Sequence, residues 1–132
     1  MNVRKLSSIL LVGLTIAMLV GCARSTIKIG WSGTSRPGVK AYSYTTFNGR
    51  EKSTFRAEEG EMIVLDYEVT VDKGSLTLRV ENPDGESLWE ESFEEDGEDS
   101  VEISVDTSGR HQIVIVGNDT GGSFDLSWEI EE

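Results

Sequence analysis

Apolar and polar side chains alternate along most of the chain after residue 60. The stretch EMIVLDYEVTVDKG begins at Glu61, and its apolar residues fall on one side of an extended chain: Ile63, Leu65, Tyr67, Val69 and Val71. A period of two residues predicts a strand with one buried face. The same alternation predicts strands in SLTLRV (75–80), SVEISVD (100–106) and SFDLSWEI (123–130). HQIVIVG (111–117) is apolar on both sides, as expected of a central strand covered on both faces.

Clusters of Gly, Asp, Asn and Pro separate these strands, and each cluster predicts a chain reversal. They are DKG (72–74), NPDG (82–85), EDG (95–97), TSG (107–109) and NDTGG (118–122). Upstream, IKIGWSG (27–33), VKAYSYTTF (39–47) and STFRAE (53–58) predict three more strands. No stretch has the pattern of a helix. Short strands at this spacing predict an all-β fold, an antiparallel β-sandwich of jelly-roll type with about eight strands.

Two segments of this region resemble a known family. The segment GSLTLRVENPDGESLWEES and the later DSVEISVDTSGRHQIVIVGNDTGGSFDLSWEI are similar to bacterial pre-peptidase C-terminal domains and to GOLD-type sandwiches. His111 stands where these families usually have a tyrosine. The resemblance covers residues 53–130 and implies a non-catalytic accessory or adhesion role, with no catalytic residues. The matching residues are Gly74, Leu76, Leu78, Val80, Pro83, Asp84, Gly85, Gly109, Ile113 and Ile115.

The N-terminal segment has the pattern of a secretory signal. Arg4 and Lys5 precede an apolar run from Ile9 to Val20, which is followed by Gly21 and the only cysteine, Cys22. A membrane-spanning helix needs about 20 apolar residues, and this run is shorter. A charged start, a short apolar middle and a small residue at the end therefore predict an export signal.

The tetrapeptide LVGC (19–22) resembles the lipobox of bacterial lipoproteins. The resemblance implies that the Cys22 thiol receives a diacylglyceryl group and that cleavage makes Cys22 the new N-terminus. Two acyl chains hold a protein firmly on a membrane, whereas one chain does not. We therefore expect a signal peptide over residues 1–22, a short tether over 23–26 and a β-sandwich over 27–132. The expected location is extracytoplasmic, with the membrane as a partner through the lipid on Cys22.

Charge is distributed unevenly along a chain whose formal net charge is −12. Residues 23–56 include seven basic residues and one acidic residue, whereas the chain from Ala57 onward has three basic and 23 acidic residues. This acidity argues against a nucleic-acid partner. The early basic residues are candidates for a contact with anionic lipid: Lys28, Arg36, Lys40, Arg50, Lys52 and Arg56.

The sequence predicts no catalytic residue. His111 is the only histidine, and we expect it to be an inward-facing strand residue rather than a member of a triad with Ser108 and Asp106. No zinc-binding spacing and no glycine-rich phosphate loop is present.

Calcium is the one cofactor for which the chain offers candidates. Glu95, Asp96, Glu98 and Asp99 lie together in the acidic segment EESFEEDGEDS, and calcium prefers carboxylate oxygens. The spacing does not match an EF-hand loop, and acidic turns also serve solubility and protect strand edges. Apart from calcium, no cofactor is expected.

The sequence favours a non-catalytic module of the cell surface or envelope that binds a protein partner. The alternative is a module that binds carbohydrate or cell wall, with or without calcium. An exposed row of aromatic side chains on one sheet face would favour the alternative, and buried aromatic side chains would count against it. The ligand-binding residues are not determined by the sequence.

Overall fold

The computed structural model describes residues 26–132, so the signal segment and Cys22 lie outside the described residues. These residues form seven strands, and no helix is present among them. The same region consequently has no helix long and apolar enough to cross a membrane. The strands are β1 (Ile27–Ile29), β2 (Ser32–Arg36), β3 (Val39–Ala57), β4 (Met62–Glu81), β5 (Ser87–Phe93), β6 (Gly97–Ser104) and β7 (Gly109–Glu131).

Every strand pairing is antiparallel, and three unusually long strands form the centre of the sheet. The order is β1-β3-β7-β4-β5, with β2 also on β3 and β6 also on β4. Strands β3, β4 and β7 have 19, 20 and 23 residues. Strand β7 pairs with β3 on one side and with β4 on the other along nearly its whole length. The apolar stretch at 113–116 therefore lies in the central strand, as the sequence predicts.

Bends in the three long strands divide the sheet into two halves. In the first half, β2 and β6 flank the parts of β3, β4 and β7 at 39–44, 62–71 and 122–131. In the second half, β1 and β5 flank the parts of the same strands at 47–57, 75–81 and 109–118. The two halves face each other as the layers of a β-sandwich. Tyr67 and Phe93 have ring centroids 5.4 Å apart between the halves, and Phe55 and Trp128 have centroids 6.2 Å apart.

The inner faces of both halves supply the core. Alternation along β4 buries Ile63, Leu65 and Val69 in the first half and Leu76 and Leu78 in the second. On β7, Ile113 and Ile115 come from the second half, and Phe124 and Leu126 come from the first. The inward register predicted for these strands is therefore confirmed. Burial of each such side chain contributes about 1.5–3 kcal/mol.

Two of the predicted chain reversals are wrong. The segments 72–74 and 118–122 lie inside β4 and β7, where the strands bend and continue. The pairing between these strands shifts register around Lys73, and Gly74 has a φ of 66°. Bulge residues and turn residues use the same backbone conformations, so their sequences look alike. The stretches 39–47 and 53–58, predicted as separate strands, belong to the single long strand β3. The other three predicted reversals, at 82–85, 95–97 and 107–109, are confirmed.

Candidate functional site

The outer surface of the first half is strongly acidic. We call it the acidic face, and its carboxylates lie at outward positions of β4, β6 and β7, whereas its one cation, Arg36, lies on the edge strand β2. Glu68 is in register with Glu98 on one side and with Asp125 on the other. Cross-strand partners point to the same side of a sheet, so these three side chains are neighbours. The members are Asp66, Glu68, Glu98, Glu102, Asp125, Glu129 and Glu131.

An open cleft of about 470 Å³ lies on this face. Hydroxyl groups border it, because Asp66 is in register with Ser100 on β6 and with Ser127 on β7. The carboxylates of the cleft can accept hydrogen bonds from a bound molecule, and the Ser127 hydroxyl can donate or accept one. Its lining residues are Asp66, Tyr67, Glu68, Glu98, Asp99, Asp125 and Ser127.

The cleft carboxylates are not neutralised within residues 26–132. The ion pairs of that region use Glu51, Glu58, Glu81 and Glu90, all of which lie elsewhere. Like charges directly opposite each other across strands destabilise a sheet. Natural proteins depart from such local rules mostly at functional sites, so this row of carboxylates is the strongest candidate site on the described surface.

Tyr67 fixes the inner side of the cleft to the opposite half of the sandwich. Its hydroxyl donates a hydrogen bond to Glu91 Oε2 at 2.8 Å, and its ring packs against Trp89 and Phe93 of β5. Burial, with the Glu91 carboxylate adding to it, raises the pKa of Tyr67 well above its usual value. The tyrosine therefore stays a neutral donor and holds β4 against β5.

The four residues predicted from the sequence as calcium ligands all border one open cleft at the loop between β5 and β6, but their side chains do not meet at one point. Glu98 is in register with the outward Glu68, whereas Asp99 is in register with the inward Tyr67 and borders the cleft from its inner side. Asp96 Oδ1 accepts a hydrogen bond from the Val71 amide at 2.9 Å, and Glu95 lies in the loop before β6. Within the described part of the chain, no three metal-ligating side chains form a group that could hold a metal ion. Calcium binding therefore stays a prediction from sequence.

His111 is a core residue, as expected from its place in the strand pattern. Its side chain is fully buried, its ring stacks on Phe55 at a centroid distance of 5.7 Å, and its Nδ1 lies 3.1 Å from the Gly109 carbonyl oxygen. Ser108 points elsewhere, because its hydroxyl accepts a hydrogen bond from the Glu59 amide at 2.8 Å. A substrate in solvent cannot reach this imidazole.

The aromatic side chains belong to the core or pack against it. Tyr44, Phe47 and Phe124 are buried, and Trp31 stacks over Tyr42 at a centroid distance of 4.6 Å. The partly buried ones still pack on the core and form no exposed row among the described residues. This result counts against glycan recognition by stacking. Any sugar bound on the acidic face would be held by hydrogen bonds.

The early basic residues do not form a single surface. Lys28 and Lys40 both pair with Glu51 of β3, and Lys40 is buried. Lys28 also lies over the Trp31 ring, with Nζ 4.5 Å from the ring centroid. Arg36 lies on β2 at the acidic face. Only Arg50, Lys52 and Arg56 occupy outward positions of the second half.

Comparisons with known proteins support the architecture. No protein-family model matches the chain, and no curated protein matches it. Among solved structures, it is similar to a protein described as "CBM4 structure and function", with a TM-score of 0.54, 7% identity, and coverage of 80% of this chain and 77% of that one. At this identity the likeness shows the fold alone, a β-sandwich of the type found in carbohydrate-binding modules.

Two further similar structures have lower scores. A carbohydrate binding module from Cellvibrio mixtus lichenase 5A, in complex with cellotriose, has a TM-score of 0.46 and 16% identity, and the match covers 82% of this chain and 89% of that one. The enzymatically active domain of tailspike protein 4 from Bacteriophage CBA120 has a TM-score of 0.48 and 13% identity, with 81% of this chain matched to 18% of that one.

Sequence reasoning missed the cleft, although part of its signal was present. Asp66 and Glu68 occupy outward positions of a recognised strand, and Asp125 and Ser127 do so in another. The alternation shows that each pair points to solvent. Only the pairing of β4 with β7 shows that the two pairs are adjacent.

Proposed function

We propose that this chain is a non-catalytic module of the cell envelope, attached to a membrane through Cys22, that binds a glycan at the cleft of the acidic face. The observation that carries the proposal is the uncompensated row Glu98, Glu68 and Asp125 beside Ser127. Carboxylates accept strong, charge-assisted hydrogen bonds from sugar hydroxyls, each contributing about 1.5–3 kcal/mol. The likeness in fold to a carbohydrate-binding module supports the same reading.

The charge of the cleft limits the class of glycan. A polyanionic polysaccharide would be repelled by a face with seven carboxylates and one arginine. Neutral glycans fit the cleft because they offer hydroxyl donors without a negative charge. The open, shallow shape of the cleft suits a short segment of a chain rather than an enclosed small molecule.

A non-catalytic role agrees with the chemistry of the site. The only imidazole of the chain is sealed in the core against Phe55, far from any exchange with solvent. The cleft is open to water, so it does not shelter a reacting group.

Affinity electrophoresis of the full chain through gels containing single neutral polysaccharides tests the proposal. Hydroxyethylcellulose, xylan, galactan and mannan serve as probes. We expect retardation by at least one of them and loss of that retardation in Glu68→Gln/Asp125→Asn, which keeps the side-chain shapes and removes two charges. Asp84→Asn/Glu86→Gln, in the turn between β4 and β5, is the matched control, because it also removes two exposed charges, and it keeps the retardation. Failure of all four probes, or retardation that survives the double substitution, would contradict glycan binding at the cleft.

A module that binds a basic protein is the second candidate, because the acidic face carries more charge than a cleft for one sugar chain needs. Salt separates the two functions. Hydrogen bonds to sugar hydroxyls persist at roughly 0.5 M sodium chloride, whereas attraction between charged surfaces is largely screened there. Binding that disappears in high salt and shows no polysaccharide dependence would favour the protein partner.

A further inference from the structure

The outer surface of the second half is basic, in contrast to the acidic face on the other side of the sandwich. We call it the basic face. Arg50 is in register with Val116, and Lys52 is in register with Val114, which in turn pairs with Arg79. Arg56 pairs with Arg110 at the far end. Its five cations are Arg50, Lys52, Arg56, Arg79 and Arg110, and the pairing of β3 with β7 and of β7 with β4 brings them together.

Three of these cations are not neutralised within residues 26–132. Arg79 pairs with Glu81 and Glu90, and Arg56 lies 3.9 Å from Glu58. Arg50, Lys52 and Arg110 are exposed and have no ion pair with the described carboxylates. Cations near an anionic membrane surface are attracted to it, and three of them on one sheet face favour the orientation in which this face meets the bilayer.

The same face carries the exposed large apolar side chains of the described region. Ile27 is 44% exposed and Ile29 is 55% exposed. The register pairs Ile27 with Asn48 and Ile29 with Thr46. Asn48 and Arg50 are two positions apart on β3, so the isoleucines and the first cation point to the same side. Lys73 donates a hydrogen bond to the Thr46 hydroxyl at 2.8 Å, which places one more cation beside Ile29.

The position of β1 in the chain places this surface next to the N-terminal segment. Ile27 follows Cys22 by five residues, a span of at most about 18 Å for an extended chain. A lipid on Cys22 would therefore hold the edge of the basic face close to the bilayer. The acidic face would then point away from it.

We propose that the basic face rests on the anionic phospholipid headgroups of the membrane that holds the chain, with Ile27 and Ile29 at the level of the headgroups. This inference rests on the proposed attachment through Cys22. Exposed aliphatic side chains beside cations are the combination that binds a charged bilayer surface. The contact would orient the module with its glycan cleft outward, even though the whole chain carries a formal net charge of −12.

Site-specific fluorescence quenching tests the orientation. The full chain, extracted with its lipid and reconstituted into vesicles, receives one reporter cysteine, either Thr54→Cys on the basic face or Thr34→Cys on the acidic face. Both threonines are exposed and lie on outward strand positions, so the two variants are matched. The new cysteine carries a fluorophore, and a nitroxide on the lipid headgroups quenches it. One set of vesicles contains phosphatidylglycerol, and the other contains phosphatidylcholine alone.

We expect the Thr54→Cys label to be quenched several-fold more than the Thr34→Cys label on the phosphatidylglycerol vesicles. The difference should shrink on phosphatidylcholine and in roughly 0.5 M salt, because both remove the attraction between charges. Arg50→Glu/Lys52→Glu should abolish it, and Ile27→Ser/Ile29→Ser should reduce it.

Equal quenching of the two labels while the chain floats with the vesicles would overturn the docking and leave the attachment intact. A preference that ignores both lipid charge and salt would also overturn it. If the chain self-associates in detergent, and both salt and Arg50→Glu/Lys52→Glu disrupt that association, the basic face instead binds the acidic face of a second copy. That result would also overturn the docking. If the chain does not float with the vesicles and Cys22 reacts with the fluorophore as a second free thiol, the lipid attachment itself is contradicted. This outcome is distinct from a failure of the docking.

Discussion

Lys40 Nζ lies 3.4 Å from Glu51 Oε2, so a lysine of the first half is paired with a glutamate of the second half inside the sandwich. The lysine side chain is 7% exposed and the glutamate side chain is 21% exposed. Lys40 Nζ also donates a hydrogen bond to the Lys52 carbonyl oxygen at 3.4 Å. Lys40 and Glu51 both belong to β3, so this ion pair spans the bend of a single strand.

Removing the carboxylate should destabilise the fold more than removing the lysine. In Glu51→Gln, the buried ammonium of Lys40 loses its counter-charge, and breaking a buried pair in this way costs about 3–5 kcal/mol. In Lys40→Met, the aliphatic stem is kept and Glu51 still has Lys28. Urea unfolding of the two variants measures the difference, and equal losses of stability would contradict a role for Glu51 as the shared counter-ion.

The bend in β4 predicts a second difference between two matched variants. Gly74 and Gly85 have φ angles of 66° and 84°. An alanine held at such an angle lowers the free energy of unfolding by about 1–2 kcal/mol at either position. An alanine Cβ at Gly74 would also overlap the backbone carbonyls of Asn118 and Asp119, whereas at Gly85 it meets nothing within 4 Å. Overpacking adds about 1–3 kcal/mol.

We therefore expect Gly74→Ala to lower the free energy of unfolding well beyond Gly85→Ala in the same denaturant series. Similar values for the two variants would show that β4 and β7 can separate at the bend without cost.

Alkaline pH should reveal the burial of Tyr44. Burial raises the pKa of Tyr44 from 10.0 to about 12, with the Asp72 charge acting in the same direction and the Thr120 hydroxyl in the opposite one. Between these values the unfolded chain loses a proton that the folded chain keeps, so stability falls as pH rises. Tyr44→Phe has no such proton, and its stability should fall less over this range by roughly 2–3 kcal/mol.

Thermal unfolding of wild type and Tyr44→Phe, each compared with its own value at neutral pH, measures this effect. Tyr67 remains in both proteins and affects them equally. Parallel losses of stability in the two proteins would show that the phenol of Tyr44 reaches solvent.

Cys22→Ala should abolish lipid attachment if the LVGC segment is a lipobox. Growth with an alkyne fatty acid followed by fluorophore coupling should label the wild-type chain and leave Cys22→Ala unlabelled. Adding Ser25→Cys to Cys22→Ala restores a thiol three residues further along, where no lipobox precedes it, and should not restore the label. Labelling of either variant would contradict acylation at Cys22.

The period-two pattern was sufficient to predict the class of fold. Ile63, Leu65, Leu76 and Leu78 point inward as the alternation requires, because each strand must bury one face. The number and length of the strands were harder to obtain. The glycines and polar residues at 72–74 and 118–122 serve bulges here and turns elsewhere, and only pairing with a neighbouring strand distinguishes the two.

The sequence by itself determined that this chain forms sheets, which residues line the core, and where the charges lie along the chain. The tertiary structure decided which charges share a surface. Glu98, Glu68 and Asp125 come together, as do Lys52 and Arg79 on either side of Val114, through pairings between strands that are tens of residues apart. Alternation along one strand is a local property that the sequence states directly. The neighbours of a strand are set by the competition among all strands for hydrogen bonds and core contacts, so the two oppositely charged faces exist only in the folded molecule.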